Sequence, residues 1–344
     1  MRWLVWGLAL GWSQSFSLPE IERRLAHLGQ IILHHDSLPL KDSLNRLFLQ
    51  LWHEVFSHPE AFGYPFDSVV TVSDLCPPDS AFRIITWQIV DFSHRRHRYY
   101  GILVRRWREH KKAPWKVRVF ELKALPNILE QEDIERCTLS PTEWVGALYY
   151  HPRYSTHGVL RYTSTALVPR GTKRVRESMV YYVLLGWNGY DHKRNFKVIE
   201  TVFFDPKNPS QAYFGVPIIY AGAVPKMRLL LEYAETTPLS LNLGWYVKRV
   251  GAKKRYTAII FDHISYSSRS KRMYEDARPF FGADGTYDAI EYWKKGRFEG
   301  RKGILVYRRN VVPYAPDIEE YDPRVILHQQ REARKKLEQY ELAY

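Results

Sequence analysis

Residues 82–122 read FRIITWQIVDFSHRRHRYYGILVRRWREHKKAPWKVRVFEL, and this stretch decides what kind of fold the chain can form. Residues 115–122 alternate between apolar and polar side chains, which is the period of a β-strand with one buried face. Residues 82–90 and 99–104 are short runs rich in β-branched and aromatic residues, which favour strands. These segments, separated by polar connections, predict three consecutive β-strands.

The strand pattern returns further along the chain. The additional predicted strands are residues 179–187, 196–204, 212–219, 227–233, 239–247, 256–261 and 303–308. Turn signals separate them, since Asn188-Gly189 directly follows a strand and residues 205–209 and 282–285 are rich in Pro, Gly and Asp. Aromatic residues make up 15% of the chain and favour β structure further. This density of short strands predicts a meandering antiparallel sheet, a sandwich or a barrel-like fold.

Three other segments have a helical pattern. Apolar residues recur at a spacing of three to four between residues 19 and 58, which predicts two N-terminal helices. A short helix is predicted around residues 140–150, with Pro141 in its first turn. Residues 322–344 are polar with one apolar side, and they predict a solvated C-terminal helix. The predicted fold class is therefore α+β, mainly antiparallel β.

The first residues have the layout of a secretory signal peptide. Arg2 supplies a positive start, residues 3–12 are an apolar run, and Ser15-Phe16-Ser17 places small residues around a cleavage point. The run is too short for a stable membrane anchor, and no later stretch approaches the roughly 18 apolar residues that a spanning helix needs. The alternative is a hydrophobic first helix of the fold. We expect an exported protein of the periplasm, the outer-membrane surface or the extracellular space.

These patterns divide the chain into five predicted segments. They are a signal peptide (1–17), an N-terminal helical segment (18–65), a first β-rich unit (66–165), a second β-rich unit (166–312) and a C-terminal helical tail (313–344).

Cysteine is rare in this chain. The two residues, Cys76 and Cys137, are too few for a disulfide-rich scaffold or a multi-cysteine metal module. Export would permit a disulfide between them, because oxidising compartments allow such bonds to persist. The alternative is a pair of buried thiols.

The chain is basic, with 51 Lys and Arg against 37 Asp and Glu, a net charge of +14. Eleven of these cations fall between Arg95 and Lys123, where only two acids occur and aromatic residues are interspersed. Cations beside aromatics indicate a surface that binds polyanions, although a generally cationic solvated surface is the alternative. The predicted anion-binding residues are Arg95, Arg96, Arg98, Arg105, Arg106, Lys111 and Lys112. For an exported protein the expected partners are lipopolysaccharide, acidic polysaccharide, a membrane surface or extracellular DNA.

The sequence contains no recognised motif for a cofactor or a metal. Neither a Gly-x-Ser-x-Gly elbow nor a phosphate-binding glycine loop occurs, so we predict no cofactor. Asp91, His94 and His97 are metal-ligand types in one connection between strands. Arginines alternate with them, and their positive field would oppose a divalent cation, so we predict no metal site.

A hydrolytic site is the alternative to a binding surface. Asp262 and His263 follow a predicted strand, where catalytic residues often emerge. Adjacent residues of a strand point to opposite sides, so they are poorly placed as a dyad. Together with Asp288 they remain the candidate residues of a secreted hydrolase.

Four segments resemble an uncharacterised family of exported Bacteroidota proteins. They are FRIITW (82–87), YYVLLGWNGYD (181–191), TAIIFDHIS (257–265) and FGADGTYDA (281–289), the last followed by WKKG (293–296). The resemblance spans roughly residues 80–310, and it implies export and a β-rich body. The family has no assigned activity, so the resemblance carries over no catalytic residue. The basic loop at residues 93–98 is not implied by it.

The favoured function is that of a non-catalytic envelope or secreted protein that binds an anionic partner. Aromatic side chains would stack on sugar or base rings, and cations would pair with phosphate or carboxylate groups. The third possibility is a structural subunit of a larger envelope assembly, which predicts a large exposed apolar patch.

Overall fold

A computed structural model describes residues 17–94, 96–130, 133–170, 173–191, 193–266, 281–298 and 301–314. Residues 1–16 of the predicted signal peptide, Arg95 and the predicted terminal helix lie outside the described residues. The described chain consists of two N-terminal helices followed by mostly antiparallel β-sheet, which confirms the predicted α+β class.

The helical segment consists of α1 (Leu18–His34) and α2 (Leu38–Phe56), followed by a 3₁₀ turn at Pro59–Gly63. Pro19 and Pro39 lie in the first turns of these helices, where a missing backbone N–H removes no helical hydrogen bond. In the described part of the chain, no helix has the length and apolarity required to cross a membrane.

The first sheet has four antiparallel strands in sequence order. They are β1 (Ser73–Leu75), β2 (Phe82–Asp91), β3 (Arg96–Trp107) and β4 (Lys116–Lys123). Tyr100 of β3 lies opposite Trp87 on one side and opposite Lys123 on the other. The three strands predicted from residues 82–122 are therefore confirmed.

The second sheet contains the remaining strands. They are β5 (Leu148–Tyr149), β6 (Leu160–Arg170), β7 (Lys173–Asn188), β8 (Arg194–Phe204), β9 (Ala212–Phe214), β10 (Ile219–Tyr220), β11 (Arg228–Ala234), β12 (Leu241–Val247), β13 (Tyr256–Tyr266), β14 (Phe281–Phe298) and β15 (Arg301–Tyr314). The main order is β11-β8-β7-β6-β15-β12-β13-β14. Because β14 also pairs with β15, the last four strands curl back on themselves.

The layers are held together by strands that are buried on both faces. On β2, Ile85 packs beneath the helices with Trp52, whereas the neighbouring Ile84 packs against the second sheet. On β7, Leu184 packs towards the first sheet and Leu185 packs towards the curled strands. Burial on both faces explains why these strands are nearly continuous apolar runs in the sequence.

Two buried polar contacts fasten α2 to β2. The side chain of Lys41 is fully buried, and its Nζ donates to the carbonyl oxygen of Val90 at 3.0 Å. The indole Nε1 of Trp87 donates to Asn45 Oδ1 at 2.7 Å. These contacts hold the helix against the end of the β2–β3 hairpin.

The helix predicted around residues 140–150 is wrong. The structure has a 3₁₀ turn at Pro141–Glu143, and the short strand β5 follows it. Trp144 and Tyr149 are fully buried, and the Trp144 indole donates to the Tyr149 hydroxyl at 2.8 Å. Gly146 between them has φ +75°, which a helix cannot accommodate.

The turn predicted at residues 282–285 is also wrong, because these residues lie inside β14. Pairing with β13 shifts between Ala283 and Tyr287, so the glycine-rich stretch forms a bulge. Asp284 holds the bulge, since its Oδ1 accepts hydrogen bonds from the backbone N and the hydroxyl of Thr286 at 2.9 and 2.7 Å.

No disulfide joins Cys76 and Cys137. Cys76 packs against the cluster beneath the helices, whereas Cys137 packs against the cluster on the other face of the first sheet. The division into two β-rich units at residues 165 and 166 stays a prediction, but this point falls within β6. The chain passes from the first sheet to the second between β4 and β5.

A buried ion pair stabilises the second sheet. The side chains of Glu200 on β8 and Arg228 on β11 are both 0% exposed, and Arg228 Nε lies 3.0 Å from Glu200 Oε1. The guanidinium also donates to the carbonyl oxygens of Cys137 at 2.8 Å and Phe214 at 3.1 Å. The pair thereby fixes the segment around residue 137 to the sheet.

We expect Glu200→Gln to lower the free energy of unfolding by about 3–5 kcal/mol, because it leaves a buried guanidinium without its counter-charge. Urea unfolding followed by tryptophan fluorescence measures the loss. The control is Arg136→Gln, since Arg136 and Asp133 form an exposed pair, 50% and 63% accessible. It should change stability by no more than about 0.5 kcal/mol. Equal losses in both variants would contradict a stabilising role for the buried pair.

Candidate functional site

A cleft of about 760 Å³ lies where two connections between strands approach each other. One is the β2–β3 hairpin, and the other is the connection from β7 to β8. The segment that follows β4, residues 124–128, lines the space between them. The volume is within the range of roughly 300–1,000 Å³ that small-ligand sites occupy.

Asp91 shapes the hairpin side of the cleft. Its Oδ1 accepts hydrogen bonds from the backbone N and hydroxyl of Ser93 at 3.1 and 3.0 Å, and its Oδ2 lies 2.9 Å from His94 Nδ1. The hydrogen bond from His94 lowers the pKa of the Asp91 carboxyl to about 2. The carboxylate therefore stays charged, and it holds the hairpin so that His94 and Arg96 both line the cleft.

Asp191 has the same role on the opposite side. Its Oδ1 accepts from the backbone N of Lys193 and of Arg194 at 2.8 Å, and its Oδ2 accepts from Arg194 Nη2 at 2.7 Å. Burial raises the pKa of Asp191, but these hydrogen bonds outweigh it and leave the pKa below its ordinary value. The Arg194 guanidinium also covers the Tyr190 ring at 4.8 Å.

A hydrogen bond joins the two sides at the base of the cleft. The backbone N of Gly189 donates to the Tyr99 hydroxyl at 2.6 Å. A Cβ at Gly189 would approach the Trp187 ring to 2.5 Å, so a side chain does not fit there. His97 lies against the same indole ring at 5.2 Å, and its Nδ1 contacts Gln88 Oε1 at 2.9 Å. Burial lowers the pKa of His97, which favours its neutral form.

Among the described residues, four Lys or Arg side chains line the cleft: Arg96, Arg98, Lys123 and Arg194. Arg98 is paired with Asp42 of α2 at 2.9 Å, and Arg194 is paired with the carboxylate on its own loop. Arg96 and Lys123 are exposed and have no carboxylate partner among the described residues. They are the cations of the cleft that remain available to a ligand.

The structure divides the predicted anion-binding residues between two places. Arg96 and Arg98 line the cleft, whereas Arg95 lies outside the described residues. The other four are at the far end of the β3–β4 hairpin: Arg105, Arg106, Lys111 and Lys112. At the usual rise of a strand, Arg106 is roughly 33 Å along β3 from Arg96, so no single small ligand contacts both groups.

The two arginines at the far end are engaged in packing. Arg105 donates to the carbonyl oxygen of Ala81 at 2.6 Å, and its guanidinium lies 3.9 Å from the centre of the Phe204 ring. Arg106 lies between Phe62 at 4.2 Å and Trp115 at 4.4 Å. These contacts stabilise the fold, so the cation–aromatic pattern of this segment reflects intramolecular stacking.

Asp262 and His263 take separate partners, as their adjacent positions on a strand predict. Asp262 Oδ2 accepts from the backbone N of Ser240 at 2.5 Å, and burial raises the pKa of Asp262. His263 Nδ1 lies 2.7 Å from Asp288 Oδ2, and Asp288 is 1% exposed. Tyr307 also donates to Asp288, so this carboxylate is fully engaged. Neither His263 nor Asp288 lines the cleft.

Sequence reasoning missed three residues of the cleft. Lys123 was counted within the basic segment but was not predicted to bind, and Tyr190 and Arg194 carried no signal beyond their place after a tight turn. Tyr190 and Arg194 reach the site only because β7 and β8 pack behind the first sheet, whereas Lys123 ends β4 of the first sheet itself. No three His, Cys, Asp or Glu side chains of the described residues converge as a metal-ligand set.

No protein-family model matches this chain, and no curated protein or solved structure is significantly similar to it. The resemblance to exported Bacteroidota proteins therefore stays a prediction from the sequence.

We expect His94→Ala to raise the pKa of Asp91 from about 2 towards its ordinary value, because the variant removes the hydrogen bond that lowers it. A pH titration of the carboxyl ¹³C resonance measures the change. Since folding depresses this pKa, the stabilisation by Asp91 is present above the ordinary carboxyl pKa and is lost as the pH falls towards 2. Gln88→Ala is the control, because Gln88 contacts His97 and not Asp91. An unaltered pKa in His94→Ala would contradict the assignment.

Proposed function

We propose that this protein binds an anionic ligand in the cleft between the β2–β3 hairpin and the β7–β8 connection. The supporting observation is the pair Arg96 and Lys123, two exposed cations that line the cleft without carboxylate partners among the described residues. A phosphate, sulfate or carboxylate group would supply the missing acceptors, and such charge-assisted hydrogen bonds are stronger than neutral ones.

The surroundings support binding at this point. Asp91 and Asp191 both accept hydrogen bonds within their own loops, so they hold the backbone there, and neither forms an ion pair with Arg96 or Lys123. The Tyr99–Gly189 hydrogen bond fixes the distance between the two sides. A site whose groups are already positioned loses little entropy when a ligand arrives.

The proposed setting is the cell envelope or the extracellular space, which rests on the signal-peptide pattern in residues 1–17. The anionic polymers and lipids of that setting, acidic polysaccharide and lipopolysaccharide, are the proposed partners. The proposed role is non-catalytic.

Binding of a heparin oligosaccharide, measured by isothermal titration calorimetry, tests the proposal. We expect the affinity to fall steeply between low and physiological salt, since exposed charges are screened. The double variant Arg96→Ala, Lys123→Ala should weaken binding about ten-fold or more, as expected for lost charged hydrogen bonds.

The matched control is Lys207→Ala, Lys253→Ala, which removes the same charge from exposed positions outside the cleft. It should change the affinity less than about two-fold. Equal weakening by both double variants would assign binding to the general cationic surface instead. An absence of binding at low salt would end the proposal.

A hydrolytic role at His263 is the second candidate, and one contact favours it. Asp288 orients His263 through Nδ1 at 2.7 Å, while the imidazole is 24% exposed and retains its Nε2 for a proton transfer. Among the described residues, no hydroxyl or thiol forms a hydrogen bond with His263, so water would be the nucleophile.

Hydrolysis of p-nitrophenyl butyrate distinguishes the two candidates. If His263 is a general base, His263→Gln should reduce the rate about 100-fold or more, whereas Asp262→Asn should leave it unchanged. A rate that is the same in His263→Gln and the unmodified protein would exclude this role.

A further inference from the structure

We infer that the ligand of the cleft is an anionic amphiphile, a phosphate or carboxylate head joined to an apolar chain. This inference rests on the proposed function, because it takes the same cleft and the same two cations. It adds that the ligand carries an apolar chain, which the cations cannot recognise.

An apolar strip begins directly next to Lys123, one of the two cations. Lys123 is followed by Ala124 and Leu125, which are half-buried, and by Pro126, which is exposed, and all of them line the cleft. On α2, Leu38 is a further half-buried lining residue. A ligand that places an anionic group on Lys123 therefore has apolar surface next to it.

Exposed apolar side chains lie beside two lining residues of the cleft. Phe92 follows the lining residue Asp91 and is 55% exposed, while Leu129 follows the lining residue Ile128 and is 40% exposed. The ammonium of buried Lys41 lies 4.3 Å from the centre of the Phe92 ring and holds it in place. Neither side chain lines the cleft, so the inference rests on the apolar lining residues themselves, since apolar linings are typical of small-ligand sites.

The lining and the volume of the cleft favour an amphiphilic ligand over a hydrophilic ion. A small hydrated anion would contact only the cations and would leave the apolar strip exposed to water. A ligand with a chain would also remove the apolar strip from water, and each buried methylene raises affinity roughly four-fold. A cleft of about 760 Å³ has room for a head and a chain together.

Three probes test this inference by calorimetry: inorganic phosphate, decyl phosphate and decyl maltoside, with the two amphiphiles kept below their micelle concentrations. They present the head alone, the head with a chain and the chain on a neutral head. We expect decyl phosphate to bind at least about ten-fold more tightly than phosphate, which requires only two buried methylenes. Decyl maltoside should bind more weakly than decyl phosphate.

Two variants separate the parts of the ligand. Leu125→Asn should weaken the binding of decyl phosphate and leave that of phosphate unchanged, whereas Arg96→Ala, Lys123→Ala should weaken both. Because Leu125 is half-buried, Pro126→Asn provides a second variant at an exposed residue that also lines the cleft. Val250→Asn is the matched control, since Val250 is 47% exposed and lies outside the cleft.

The outcomes distinguish this inference from the proposed function. If phosphate or heparin binds and the decyl chain adds nothing, the ligand is a hydrophilic anion and only the inference fails. If no anion binds, both fail. If decyl maltoside binds as tightly as decyl phosphate, the cleft recognises the chain alone and the inference of an anionic head is wrong.

Discussion

The structure depends on the burial of β7 on both of its faces. Leu184 packs towards the first sheet while Val183 and Leu185 pack towards the curled strands β12 to β15, and all three are 0% exposed. Any strand shift by one residue would exchange these faces, so β7 sets the register of its neighbours. The first sheet and the helices beyond it therefore lie on one side of β7, and the curled strands lie on the other.

The cleft is a consequence of where β7 ends. The strand leaves the core at Asn188, and Gly189 then passes close enough to the first sheet to donate to the Tyr99 hydroxyl. The following loop is held by Asp191, as the β2–β3 hairpin is held by Asp91. Two connections that are remote in sequence thereby become the opposite sides of one cleft.

Part of the candidate site followed from composition alone, because Arg96 belongs to a segment with eleven cations and two acids. Composition could not separate cations that line the cleft from cations that pack against aromatic rings. Arg105 and Arg106 have the same sequence signature, yet Phe204, Phe62 and Trp115 cover them in the fold. That distinction requires the positions of aromatic rings from distant elements.

By itself the sequence determined the two N-terminal helices and most of the strands, because the apolar period depends on local geometry and on burial of one face. It failed at Gly146 and in β14, where a positive φ and a bulge interrupt the local pattern. Only the tertiary structure decided that Lys123 and Arg194 share a cleft with Arg96. Their common location depends on how the first sheet packs against the second, which no local period encodes.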